Sequence, residues 1–157
     1  MGDMQRRKYC PVSIAEAMAG DADKFAYVDL ARQADVALGG GIYVPRNADL
    51  AAWDFTLADL TTDGTWRELD LSAILPAGAI WVKILASMSD NVINSQLAIR
   101  RNGNANGFEV DSRRTQVANQ LRQGIMECAC DDARVIEYYA TNVVWTAINL
   151  YVVGWFI

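Results

Sequence analysis

Val144-Trp-Thr-Ala-Ile-Asn-Leu-Tyr-Val-Val-Gly-Trp-Phe-Ile157 is almost uncharged and rich in β-branched and aromatic residues, the composition of a strand that is covered on both faces. Successive strand side chains point to opposite sides, so parity sorts them. Val144, Thr146, Ile148, Leu150, Val152 and Phe156 form one face, and Trp145, Ala147, Asn149, Tyr151, Val153 and Trp155 the other. The first is ordinary core. The second is too apolar to stand in water, so an own-chain segment or another subunit is expected to cover it, with Trp145, Tyr151 and Trp155 as the expected interface residues.

Upstream, the same alternation recurs. Trp53–Leu57, Thr65–Leu71, Ala79–Ser87, Ser95–Arg101, Gly124–Cys130 and the segment from Ile136 read as strands, separated by Thr61-Thr-Asp-Gly64, Pro76-Ala-Gly78, Asp90-Asn91 and the loop Asn102-Gly-Asn-Ala-Asn-Gly107. Proline presets φ and glycine tolerates φ above zero, which is why these positions turn. Arg113 and Arg114 fall in a polar stretch running to Gln123. About eight strands at this spacing predict an all-β, antiparallel, jelly-roll-like β-sandwich over residues 61–157. Residues 1–60 are expected to hold an N-terminal arm, a short helix and edge strands. Ser13 as N-cap, Glu16 three residues later and Gly20 as the stop mark that helix. Phe25–Leu30 alternates like a strand, and Gly39-Gly-Gly41 leads into a proline-ended edge segment, Ile42–Pro45.

Composition narrows the function. The 157 residues suffice for one core, and with 52% hydrophobic and 21% charged residues the chain is not disordered as a whole. A net charge of −5 argues against general nucleic-acid binding. No apolar run reaches the length of a membrane-spanning helix. The basic cluster Arg6, Arg7, Lys8 has no apolar stretch behind it, so no secretory leader is expected, and the chain reads as a soluble protein made inside a cell. The cluster reads either as a solvated tail or as an arm gripping an acidic partner. Histidine is absent altogether, which removes the Ser-His-Asp and Cys-His arrangements and the usual zinc and iron ligand sets. No enzyme and no cofactor is therefore expected. One carboxylate pair, Glu109 and Asp111, lies a strand-step apart and would be the starting point for a glycan hydrolase.

Three cysteines remain, Cys10, Cys128 and Cys130. Cys-x-Cys is not the spacing of a zinc knuckle or a thioredoxin-like site. On a strand, positions 128 and 130 share a face, where small sulfur side chains pack. Free thiols, a disulfide within or between chains, and a metal site all stay open.

The blocks Trp66-Arg-Glu-Leu-Asp-Leu-Ser-Ala-Ile-Leu-Pro-Ala-Gly-Ala79, Leu97-Ala-Ile-Arg-Arg-Asn-Gly-Asn104 and Ile136–Phe156, taken in order, resemble jelly-roll accessory virion proteins of tailed bacteriophages, the capsid decoration (cement) proteins and fibre modules. The resemblance spans residues 62–157. It implies a homotrimer that stabilises a phage head, the major capsid protein or another virion protein as partner, and a protein made in the host cytoplasm that ends in the virion. It also implies an N-terminal segment that anchors, for which Arg6, Arg7 and Lys8 are the candidates. Arg100, Arg101, Arg113 and Arg114 are then free either to pair with carboxylates of neighbouring subunits or to remain solvated. A second reading is a receptor- or glycan-binding module, in which Trp53, Trp66 and Trp81 stack on sugars and Asn102, Asn104 and Asn106 supply hydrogen bonds.

Overall fold

The computed structural model describes residues 41–46 and 51–157. Nine strands lie in these segments: β1 Tyr43–Pro45, β2 Phe55–Thr56, β3 Trp66–Asp70, β4 Trp81–Ser89, β5 Gln96–Arg101, β6 Val110–Arg114, β7 Arg122–Ala129, β8 Val135–Ala140 and β9 Ala147–Phe156. Two antiparallel sheets result. One has the order β1-β9-β4-β7 with β2 also on β9, and the other the order β3-β8-β5-β6. Strand β2 pairs with β9, β3 with β8, β4 with β7 and β5 with β6, every pair antiparallel. That nesting is one long hairpin rolled over into two layers, which is the jelly roll. Among the described residues no helix is long and apolar enough to cross a membrane.

Alternation drives the packing. On β9, Ile148, Leu150 and Val152 are at most 1% exposed, and β4 answers from the same layer with Val82, Ile84, Ala86 and Met88. Leu97, Ile99, Ile136 and Tyr138 close on them from the second sheet. Each such aliphatic side chain contributes about 2 kcal/mol by leaving water. Tyr138 keeps its hydroxyl satisfied by accepting the Thr61 N–H at 2.7 Å.

Strands β1 and β2 share the edge of β9 that β4 leaves open, and the gap between them is bridged by a side chain. The Asp54 carboxylate accepts the Val152 N–H at 2.7 Å and the Arg46 guanidinium at 2.5 Å, while Asp54 N–H and Arg46 N–H donate to the Leu150 and Val153 carbonyls. Residues 43–46 and 51–60 are thus joined to the sandwich, in one compact unit that spans Ile42–Ile157. The expected helix at Ser13–Gly20 and the strand at Phe25–Leu30 lie outside the described residues.

Three local departures from the simple alternation have identifiable causes. Trp53–Leu57 is not a full strand: β2 lasts two residues and gives way to a 3-10 turn, Leu57–Asp59, tied back by the Asp59 carboxylate on Thr56 N–H and Oγ1 at 2.8 and 2.9 Å. Second, Val110–Arg114 is a strand despite its polar sequence, because it sits at a sheet edge and needs only β5 as partner. Third, the β4–β9 register slips: Lys83 faces Gly154 but Ile84 faces Val152, leaving Val153 as the extra residue of a bulge. A bulge flips every side chain beyond it. Trp155 therefore pairs with Val82 and packs against the core, whereas Phe156 joins Trp81 and Tyr43 on the outside.

The bulge also brings the Tyr43 ring over Gly154. A Cβ there would lie 2.5 Å from Tyr43 Oη and 2.6 Å from the Val44 carbonyl oxygen, and that backbone oxygen cannot yield without unpairing β1. Gly154→Ala should lower stability by about 2 kcal/mol, the scale of forced overpacking, with the urea midpoint as the readout. An unchanged midpoint would mean that β1 does not hold this edge.

Candidate functional site: the outer face of the five-stranded sheet

Register places three rows on the solvent side of the larger sheet. Ala129, Trp81, Phe156 and Tyr43 form the first, Glu127, Lys83, Gly154 and Pro45 the second, and Ile125, Leu85 and Tyr151 the third. Trp81, Tyr43 and Ile125 are each 38–39% exposed, well short of buried. The Tyr43 and Phe156 rings lie 5.2 Å apart at a tilted angle, a favourable aromatic arrangement. Lys83 Nζ sits 5.4 Å from the Tyr43 centroid, 5.7 Å from that of Phe156 and 3.2 Å from Glu127 Oε1. The Trp81 indole N–H also donates to Glu127, at 3.3 Å. The face is thus apolar around one ion pair, with both its charges already answered.

Of the residues expected at an interface, only Tyr151 lies here. Its ring has the Arg46 guanidinium 5.5 Å away, and with Leu85, Ala51, Ala52 and Trp53 it lines a hollow of about 300 Å³, so own-chain residues flank this part of the face. Trp155 is turned inward by the bulge. Trp145 precedes β9 and is core, its indole N–H donating to the Thr141 carbonyl at 3.0 Å while Val144 beside it is exposed. Parity holds only within a strand, and the strand starts at Ala147. Trp81 and Ile125 were within reach of the same parity rule applied to Ala79–Ser87 and Gly124–Cys130, whereas Phe156 reaches this face only through the bulge.

Several of the other expected site residues are engaged within the chain. Arg100 bonds Glu137 through Nε and its guanidinium stacks 4.0 Å over Trp66, which lies 5.6 Å from Tyr139. Trp66 therefore belongs to the outer face of the smaller sheet, with the sandwich between it and Trp81. Asn102 donates to Asp131 at 2.8 Å, and the side chains of Asn104 and Asn106 take backbone N–H groups of their own loop. Asp111 accepts the Glu127 N–H at 3.0 Å and Arg113 Nη1 at 2.7 Å, a structural use of both its oxygens. Glu109, at φ +54°, precedes β6 and is not its strand-mate. Both do line a cleft of about 330 Å³ with Trp81, Arg101 and Glu127. Arg6, Arg7, Lys8 and Cys10 lie outside the described residues.

Cys128 and Cys130 are buried free thiols, not a disulfide with each other. Burial, assisted by the neighbouring Cys130 and Asp111, pushes Cys128 up to about 12, and burial raises Cys130 as well. Their sulfurs stay protonated packing groups, with Cys130 Sγ donating to the Ala79 carbonyl. No protein-family model matches the chain, and no curated protein matches it.

A raised thiol pKa favours the folded state only while the unfolded thiol is also protonated. Its contribution is complete below the ordinary value of 9.0 and is lost as pH rises toward about 12. The stability difference between the native chain and Cys128→Val, taken from urea midpoints, should be flat up to pH ~8.5 and shift against the native chain by pH ~10.5. A difference that stays constant across that window would contradict a buried, protonated Cys128.

Proposed function

We propose that the chain is a non-enzymatic structural protein of a tailed-phage particle, a trimeric capsid decoration (cement) protein whose copies associate through the outer face of the five-stranded sheet. The observation that carries this reading is the row Trp81–Phe156–Tyr43 with Ile125, apolar surface on a regular sheet that single side chains scattered over a surface do not make. Lys83 and Glu127 answer each other within the chain, so the face brings no uncompensated charge when copies meet. The jelly roll and the resemblance of residues 62–157 support the same assignment. The action is mechanical. Apolar area buried between copies contributes about 25 cal/mol/Å² before the costs of association. Three weak contacts to the major capsid protein, held on one trimer, then add through effective concentration. The basic cluster Arg6-Arg7-Lys8 supplies a further contact to an acidic shell surface.

A receptor- or glycan-binding module is the second reading, favoured by the Trp81 cleft, where an exposed indole stands beside the carboxylates of Glu109 and Glu127.

Light scattering after size exclusion separates them. The native chain should elute at three times the chain mass. Trp81→Glu, a change at an exposed strand position, should elute at one, with an unchanged circular-dichroism spectrum. A native chain that is monomeric at every concentration overturns the assembly reading and leaves the binding module.

A further inference from the structure

The sandwich has a seam where β6, the edge of the smaller sheet, approaches β7, the edge of the larger one. A cleft of about 270 Å³ opens there, lined by Arg113, Arg114, Arg122, Gln116, Gln123 and Ser112 over a floor that includes Met88 and Gly124. We infer that this cleft is a binding site for an oxyanion group, the carboxylate, sulfate or phosphate of a small ligand, held between Arg114 and Arg122. The inference stands apart from the association face.

Charge is the first argument. Three guanidinium groups line the cleft and no carboxylate does, in a chain where Asp and Glu outnumber Lys and Arg by 19 to 14. Their commitments are the second. Arg113 is structural: its Nη1 donates to Asp111 and its Nη2 to the Ile125 carbonyl, stitching β6 to β7. Arg122 donates through Nη2 to Gln116 Oε1, but its Nε is buried and faces no acceptor. Arg114 donates through Nη2 to Gln96 at 3.1 Å and otherwise faces solvent. A desolvated N–H on a charged group is expensive to leave unmade, and an oxyanion is the acceptor that matches a guanidinium fork.

The uncharged lining fits the same class of ligand. Gln116 spends its carbonyl on Arg122, so its NH₂ is left as a donor beside the anion. Ser112 and Gln123 add hydrogen-bonding capacity for hydroxyls on the group that carries the anion, and Met88 with Gly124 offers apolar floor. A free inorganic anion and the acid group of a sugar both present this chemistry, and they differ in whether those neutral groups are used.

The test is a titration of the full chain, isotope-labelled at arginine Nε–Hε, at constant ionic strength. One arm uses inorganic phosphate and the other glucuronate. Saturable shifts at Arg122 Nε–Hε in at least one arm are expected, with Arg100, whose Nε is held by Glu137, unmoved. Tighter binding of glucuronate than of phosphate identifies the acidic sugar as the source, and the reverse order identifies the simple anion. Arg114→Gln, at an exposed position that should fold normally, should weaken binding about tenfold, the effect of losing one charge-assisted hydrogen bond; Arg122→Gln should do the same. Shifts that never saturate or that spread over all arginines, or an Arg114→Gln chain that binds as the native one does, overturn the assignment. A monomeric native chain would leave this result unaffected, so the two readings fail independently.

Discussion

Strand β9 is the element on which the larger sheet depends, because it is paired along both of its edges, and its inner face shares the core with the second sheet. On one side β4 follows it for nine residues, and on the other β1 and β2 divide the edge between them. Its inner side chains must meet those of β4 without a gap, yet its end must also leave room for β1. The bulge at Val153 reconciles the two demands by adding one residue to β9 only. Beyond it the faces exchange, Trp155 goes to the core and Phe156 to the surface. Gly154 follows from the same geometry, since the Tyr43 ring occupies the space a side chain would need. Where β1 and β2 do not meet, the Asp54 carboxylate serves as a substitute for a backbone acceptor, and Arg46 answers its charge. A buried N–H left without that oxygen would be costly.

Much of this fold was legible as alternation. Ala79–Ser87, Ser95–Arg101 and Gly124–Cys130 announce strands through Val82, Ile84, Leu97, Ile99 and Met126, all of which reach the core. The loop at Asn102–Gly107 and the turn at Pro76–Gly78 are equally plain, because glycine at positions 78 and 103 takes positive φ. What escaped depends on partners rather than on local pattern. The bulge shows only in how β9 pairs with β4, and nothing in Val152-Val-Gly-Trp-Phe156 alone says which residue is extra. Strand β6, Val-Asp-Ser-Arg-Arg, shows no apolar period because its side chains seal a seam instead of filling a core. Trp145 looked like strand surface since parity was carried three residues past the start of β9.

The two proposed surfaces share this logic. The outer-face rows combine residues from four strands, so no single segment advertises them, and of the three residues expected at an interface only Tyr151, in the middle of β9, lies among them. The seam cleft was hidden for another reason. Arg113, Arg114 and Arg122 read as ordinary solvated charges until β6 and β7 bring them together, after which Arg113 is committed to the seam and the other two are left over. Both proposed sites lie at strand edges and outer rows, the places a jelly roll leaves unfilled.

The most direct measurement is hydroxyl-radical footprinting of the native chain, read residue by residue by mass spectrometry at low and high protein concentration. If copies meet through the outer face of the five-stranded sheet, Trp81, Tyr43 and Ile125 become protected as concentration rises, while Phe108 and Val144, which are more than four-fifths exposed, keep reacting. Trp81 and Tyr43 oxidising equally at both concentrations, or protection appearing instead around Trp66 and Tyr139, would contradict the account.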